Sequence, residues 1–148
     1  MGLSQWLLNT PPTPGAPFVL DKDGRKYWAT WHNPDIRPSL ALSHRGAVVA
    51  HVYMEWGPKG LIIVDIVIDK PAYKKRGLGT VLLDEVTGFA KGKGIKLITG
   101  LIPRKDCEED PHLLEWYRRR GFQVQPSDDP RWGAEISKDL TQPPQIIS

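Results

Sequence analysis

The stretch from Leu61 to Lys91 constrains this chain more than any other. It opens with Leu61-Ile62-Ile63-Val64-Asp65-Ile66-Val67-Ile68, β-branched and almost continuously apolar, which reads as a central strand buried on both faces. A basic, glycine-bearing loop follows, Tyr73-Lys74-Lys75-Arg76-Gly77-Leu78-Gly79-Thr80. Beyond it Leu82, Val86 and Phe89, flanked by Leu83 and Ala90, recur at helical spacing. Strand, basic glycine loop, helix is an arrangement suited to phosphate. Glycines let the backbone approach a ligand, and the amides at a helix start present partial positive charge.

Spacing excludes two phosphate-binding motifs. A P-loop requires Gly-x-x-x-x-Gly-Lys-Ser/Thr, and Gly79 is followed by Thr80-Val81; a dinucleotide fingerprint requires a third glycine where Leu82 stands. What remains, Lys74-x-x-Gly77-x-Gly79, resembles the Gln/Arg-x-x-Gly-x-Gly/Ala signature of the GNAT superfamily of N-acetyltransferases, with Lys74 in place of Gln or Arg. A second partial match lies downstream. The family pattern Asn-x-x-Ala-x-x-x-Tyr-x-x-x-Gly-Phe is met by the stretch from Asp110 to Phe122, where Tyr117 and Gly121-Phe122 agree and Asp110 and Leu113 depart.

The chain order supports the same fold. A Pro-rich lead-in spans residues 1–17, with a short helical turn expected around Trp6-Leu7-Leu8. Phe18-Val19-Leu20 and Tyr27–Trp31 flank Asp23-Gly24, a hairpin signal. Strands at Leu40–Leu42, Val48–Trp56 and the apolar run make residues 39–69 an antiparallel meander. After the helix, Gly92 and Gly94 act as stops, and residues 95–102 form a strand parallel to residues 61–69. Residues 103–109 read as a polar loop. A helix of about three turns is delimited by Asp110 as N-cap, Pro111 at its first position and Gly121 after its end. Strands near residues 122–124 and 134–137 and a tail from 141 to 148 complete the chain, so the domain is placed at residues 18–140.

Composition sets bounds. The 148 residues, 40% hydrophobic and 25% charged, suit one soluble α/β domain. No apolar run reaches membrane-spanning length, and the start lacks the features of a signal peptide. The single cysteine, Cys107, excludes an internal disulfide framework and fits a reducing cytoplasm. A net charge of +3 argues little by itself. Its clusters, Lys70/Lys74/Lys75/Arg76 and Arg118–Arg120, leave nucleic-acid binding as a third reading, weakened by the lack of a recognition-helix pattern.

The resemblance implies an acyl-CoA N-acyltransferase fold: a mixed, mostly antiparallel sheet with a splayed parallel pair, its N-terminal helical region shortened. It implies acetyl-CoA as co-substrate, no metal, and an amine acceptor, either a small molecule or a peptide; a homodimer is allowed and no membrane is involved. It places Val67, Ile68 and Asp69 beside the pantetheine and thioester, and Lys74, Lys75, Arg76, Gly77, Leu78, Gly79 and Thr80 around the pyrophosphate. Asp110, Leu114 and Tyr117 are implied on the cofactor side of the second helix, with Tyr117 protonating the departing thiolate. The base is open. Asp65 interrupts an apolar strand, where a carboxylate is costly unless paired or solvated, and it reads equally as a base and as a structural aspartate. Glu55 ends the preceding strand and reads first as a solvated charge. His51 reads as a satisfied, half-buried histidine, and Cys107 has no companions for nucleophilic catalysis. Residues 32–38 are too short for the two helices that usually wall the acceptor site. A catalytically weak acyl-CoA-binding or protein-interaction module is therefore the alternative.

Overall fold

Turn chemistry sets the first strands of the computed structural model, which describes residues 9–141. The expected turn at Trp6-Leu7-Leu8 and residues 142–148 of the tail lie outside the described residues. The fold divides into two units, residues up to 55 with 65–86, and residues 56–64 with those from 87 on.

In the first unit, β1 (Phe18–Leu20) pairs antiparallel with β2 (Lys26–His32) around Gly24, whose φ of 84° only glycine adopts readily. β2 pairs with β3 (Ser39–His44), and no helix lies between them. Arg45 and Gly46, both left-handed at φ 53° and 78°, turn β3 into β4 (Ala47–Trp56), as a two-residue hairpin of twisted strands requires. Along β4, Ala50, Val52 and Met54 are buried, whereas His51 is half-buried and Tyr53 and Glu55 are exposed. This is the alternation of a strand with one covered face.

In the second unit, β6 (Leu97–Pro103) pairs parallel with the start of β5 (Leu61–Ile68) and antiparallel with β8 (Trp132–Asp139), which pairs with β7 (Gln123–Pro126). β5 with β6 is the one parallel pair registered among the described residues, so the eight strands are mixed and mostly antiparallel. Their ladder covers Leu61↔Ile98, Ile62↔Thr99 and Ile63↔Gly100 and stops there, although β5 runs on to Ile68 and β6 to Pro103. The helix α1 (Leu78–Gly92) buries Leu82, Leu83, Val86 and Ala90, as the spacing predicts.

Three expectations are corrected. The strand at 61–68 is not buried throughout: Leu61 and Ile63 are buried, Val64 and Asp65 are exposed, and Ile66 to Ile68 are half-buried. The exposed part lies beyond the ladder with β6. Residues 104–109 form a short helix, α2 (Arg104–Glu109), rather than a loop, held by Arg104 donating to the carbonyls of Pro130 (2.9 Å) and Trp132 (3.0 Å). Asp110 consequently closes α2, its amide bonded to Asp106 O at 3.0 Å, and does not cap the next helix; its Oδ1 accepts the His112 amide at 3.0 Å. The helix α3 (Leu113–Arg119) is then only seven residues and starts without a side-chain cap. Its stop is as predicted, with Gly121 at φ 89° and the Phe122 amide bonded back to Tyr117 O at 3.2 Å. No helix of the described residues is long and apolar enough to cross a membrane.

Gly60 carries a constraint that no pattern announced. It sits at φ 156°, and a Cβ there would collide with the carbonyl oxygen of Leu97, which is backbone and cannot give way. Gly60→Ala should therefore destabilise the protein by at least about 1–3 kcal/mol, read as a lower urea midpoint, whereas Gly88→Ala, with open space around it, should not.

Candidate active site

The loop between β5 and α1 is shaped by two left-handed residues. A 3-10 turn at Pro71–Tyr73 is followed by Lys75 at φ 63° and Gly77 at φ 77°. A left-handed lysine is uncommon and persists only where its surroundings hold it. Alternation of right- and left-handed residues turns successive amides to one side and makes an anion-binding concavity. The loop leads into fifteen residues of helix whose first turn carries no acid to compete for that position. Lys74 and Lys75 are exposed beside it. Leu78 buries its side chain, so it can offer a ligand only its backbone.

The loop is held from below by a network that sequence reasoning missed. The Arg76 side chain is turned away from the loop mouth. Its Nε donates to Asp21 Oδ2 at 2.7 Å and to the Tyr27 hydroxyl at 3.2 Å. The Asp21 carboxylate is fully buried. It also accepts the Tyr27 hydroxyl at 2.7 Å and the amides of Asp23 and Arg25 at 2.9 and 3.0 Å. Burial by itself would raise this carboxyl. Hydrogen bonds from Tyr27, Arg76, Arg25 and Asp23 outweigh it and bring the pKa from 3.8 to about 2. At the front of the loop, the Tyr73 hydroxyl and His44 Nδ1 lie 2.6 Å apart, and the rings of Tyr27, His44 and Tyr73 pack with centroids 5.5–6.1 Å apart. Burial pushes the His44 pKa down, helped by the charges of Arg25, Arg45 and Arg76 and opposed by Asp21. The only sequence signal for this network was Asp21 beside the Asp23-Gly24 turn.

The other candidates divide by unit. In the first, Asp69 pairs with His51 at 2.7 Å, and its amide donates to Val49 O at 2.8 Å. Val67 and Ile68 are half-buried; Glu55 and Asp65 are exposed. A groove of about 380 Å³ lies along Phe18, Val19, Leu20, Val81, Asp84 and Glu85. Its two carboxylates disfavour phosphate, so it is not assigned to the loop's ligand. In the second unit, Tyr117 is 5% exposed, its ring packed edge-on against Trp116 and Phe122 at 4.9 and 5.6 Å. Leu114 is half-buried and Asp110 exposed. Glu115 lies 3.6 Å from both Arg118 and Arg119, and Arg120 stacks over Trp116, so the arginine run is a solvated helix end. Burial raises the Cys107 thiol, with Asp106 and Glu108 adding and Arg104 opposing, which disfavours a nucleophilic thiolate. No group of three metal-ligating side chains is found among the described residues.

On the acid side the network makes stability pH-dependent with one sign. Folding lowers the pKa of both His44 and Asp21, so the unfolded chain binds more protons on acidification. The contribution of His44 is complete above 6.5 and is lost as pH falls from there through its lowered folded value; that of Asp21 is lost between 3.8 and about 2. The melting temperature should therefore fall below pH 6.5 and again below pH 3.8. His44→Gln should flatten the upper decline, and an unchanged slope in that variant would assign it to other groups.

The comparisons bear on this arrangement. The family model described as acetyltransferase (GNAT) family matches residues 3–122. No curated protein sequence matches the chain. Among solved structures, the GNAT domain of S. lividans PAT aligns with a TM-score of 0.70 at 13% identity, over 86% of this chain and 99% of that one. The ribosomal-protein-S18-alanine N-acetyltransferase of Escherichia coli aligns at 0.60 and 16% identity, over 78% and 77%. The PaiA N-acetyltransferase of Thermoplasma acidophilum, solved with coenzyme A, aligns at 0.56 and 19%, over 68% of this chain and 59% of that protein's length. Such identities establish a shared fold. With the family model covering β1 to β6, the basic glycine loop and the Tyr117 helix, the chain belongs to the GNAT acetyltransferase family.

Proposed function

We propose that this protein is an acetyl-CoA-dependent N-acetyltransferase that moves an acetyl group to a primary amine by direct transfer in a ternary complex. The observation that carries this reading is the loop of Lys74 to Thr80, with its left-handed Lys75 and Gly77 ahead of an acid-free helix start. Such a cradle fits a pyrophosphate. The amides of Arg76, Gly77, Leu78, Gly79 and Thr80 are assigned to that group, with Lys74 and Lys75 as neighbouring cations. The family resemblance supports assigning the backbone of Val67, Ile68 and Asp69 to the pantetheine and thioester. Bound acetyl-CoA supplies the activated acyl group. By the family resemblance, Asp110 and Leu114 are also assigned to the cofactor, and Tyr117 to proton donation toward the departing sulfur.

Release of thiol from acetyl-CoA with a panel of primary amines tests the reaction. Binding without turnover of any amine would instead assign an acyl-CoA-binding or protein-interaction module, the reading favoured by the helix-free connection between β2 and β3. Gly79 is the sharper probe of the loop, because Gly77 at φ 77° would also be strained by any side chain. Gly79→Asp should abolish acetyl-CoA binding in a folded protein by setting a negative charge where amides face phosphate, and unchanged affinity by calorimetry would sink the loop assignment. Tyr117→Phe keeps the ring between Trp116 and Phe122 and removes the donor. Its kcat should fall by about two orders of magnitude with cofactor affinity retained; wild-type turnover would leave the phenol a structural role.

A further inference from the structure

We propose that His51 and Asp69 form the proton-accepting dyad of the transfer reaction, with His51 Nε2 as the base toward the acceptor amine and Asp69 as its positioning residue. The inference rests on the acetyltransferase reading above and extends it to a residue that the sequence pattern left as an ordinary half-buried histidine.

Four observations carry it. The first is orientation. Asp69 Oδ2 lies 2.7 Å from His51 Nδ1. A carboxylate only accepts hydrogen bonds, so Nδ1 carries the hydrogen, and in the neutral ring it is Nε2 that presents the lone pair. The second is rigidity. The Asp69 amide bonds to Val49 O at 2.8 Å, fixing the aspartate's main chain to the strand that carries His51, and the Tyr53 ring packs edge-on against the imidazole at 4.4 Å. The ring is therefore held on two sides, as a base must be to act at a fixed point.

The third is access. The two side chains are 15% and 29% exposed. That is open enough to exchange a proton with a substrate. The fourth is place. Asp69 directly follows Ile68, where the proposed function puts the thioester, so the dyad brings an imidazole within the span of one side chain of that backbone. The carboxylates read as bases from sequence, Glu55 and Asp65, are both on exposed surface. An imidazole is also better matched to neutral pH than a solvated carboxylate.

The step balances. The neutral amine's lone pair attacks the thioester carbonyl carbon and a C–N bond forms. One N–H proton passes to His51 Nε2. The C–S bond breaks, and the sulfur leaves with its electron pair and takes a proton from the Tyr117 phenol. The imidazolium then returns its proton through solvent to the phenolate. Net, an amine and an acetyl thioester become an amide and a thiol.

The test uses the full chain with acetyl-CoA and a primary-amine panel, following thiol release, acetyl-CoA affinity by calorimetry and the melting temperature. His51→Ala should lower kcat by about 10²–10⁴-fold with acetyl-CoA affinity unchanged. Added imidazole should restore part of that rate and leave the wild type unaffected. Asp69→Asn should lower kcat by a smaller factor and gain nothing from imidazole, because its ring is present and only misaligned. Wild-type turnover by His51→Ala would overturn the dyad while leaving the acetyltransferase reading standing. So would a rate loss that tracks lost cofactor binding or lost folding and is not rescued by imidazole. A wild-type protein that binds acetyl-CoA and acetylates no amine would overturn both.

Discussion

The buried carboxylate of Asp21 is the interaction on which the loop depends. A lone ionised group out of water is strongly unfavourable, and it persists only when its acceptor sites are filled. Here the fillers come from three places: the turn after β1, the Tyr27 hydroxyl on β2, and Arg76 on the loop. Removing any one leaves a charge whose compensation is incomplete, which couples the β1–β2 hairpin to the loop more firmly than apolar contact would. Arg76 therefore does two jobs with two parts. Its guanidinium is committed to Asp21, and only its backbone remains for a ligand. Lys22 completes the join: its amide bonds to Arg76 O at 3.4 Å, and its stem lies against Gly77.

With the loop anchored, its unusual backbone has an explanation. Left-handed Lys75 is unfavourable in isolation. The residues on either side of it are held, Tyr73 through His44 and Arg76 through Asp21, so the segment between must take whatever dihedral angles close the path. Preorganisation of this kind means that a ligand does not have to order the loop as it binds. The same logic governs β5. Its apolar side chains secure a strand, but the registered parallel ladder uses only its first residues, and the rest is covered less.

The elements legible in the sequence are those written in local chemistry. Gly24 and Gly121 mark a turn and a helix stop because their backbone angles exclude most side chains. The α1 stripe is legible because burial repeats with the helical period. The glycine loop is legible because Gly77 and Gly79 stand at a distinctive spacing. What was illegible depends on pairs distant in sequence. Asp21 and Arg76 are 55 residues apart, and no pattern joins them. Asp110 looked like a helix cap because Ser, Asp and Asn favour both ends of the problem, starting one helix or closing another. The hidden helix α2 decided which. Asp65 looked anomalous because an apolar run implies burial on both faces, whereas Val64 and Asp65 stand exposed in the middle of β5.

Two histidines show how surroundings, rather than residue type, separate support from chemistry. His44 and His51 lie on neighbouring strands, and each has its Nδ1 within 2.7 Å of an oxygen. His44 is nearly sealed, ringed by Tyr27 and Tyr73, and burial and three arginine charges outweigh Asp21 in disfavouring its protonation, so its bond to Tyr73 serves as a strut. A group held neutral beneath a loop cannot exchange protons with a substrate above it. His51 differs in its surroundings: its oxygen partner is a carboxylate, and it is reachable from solvent.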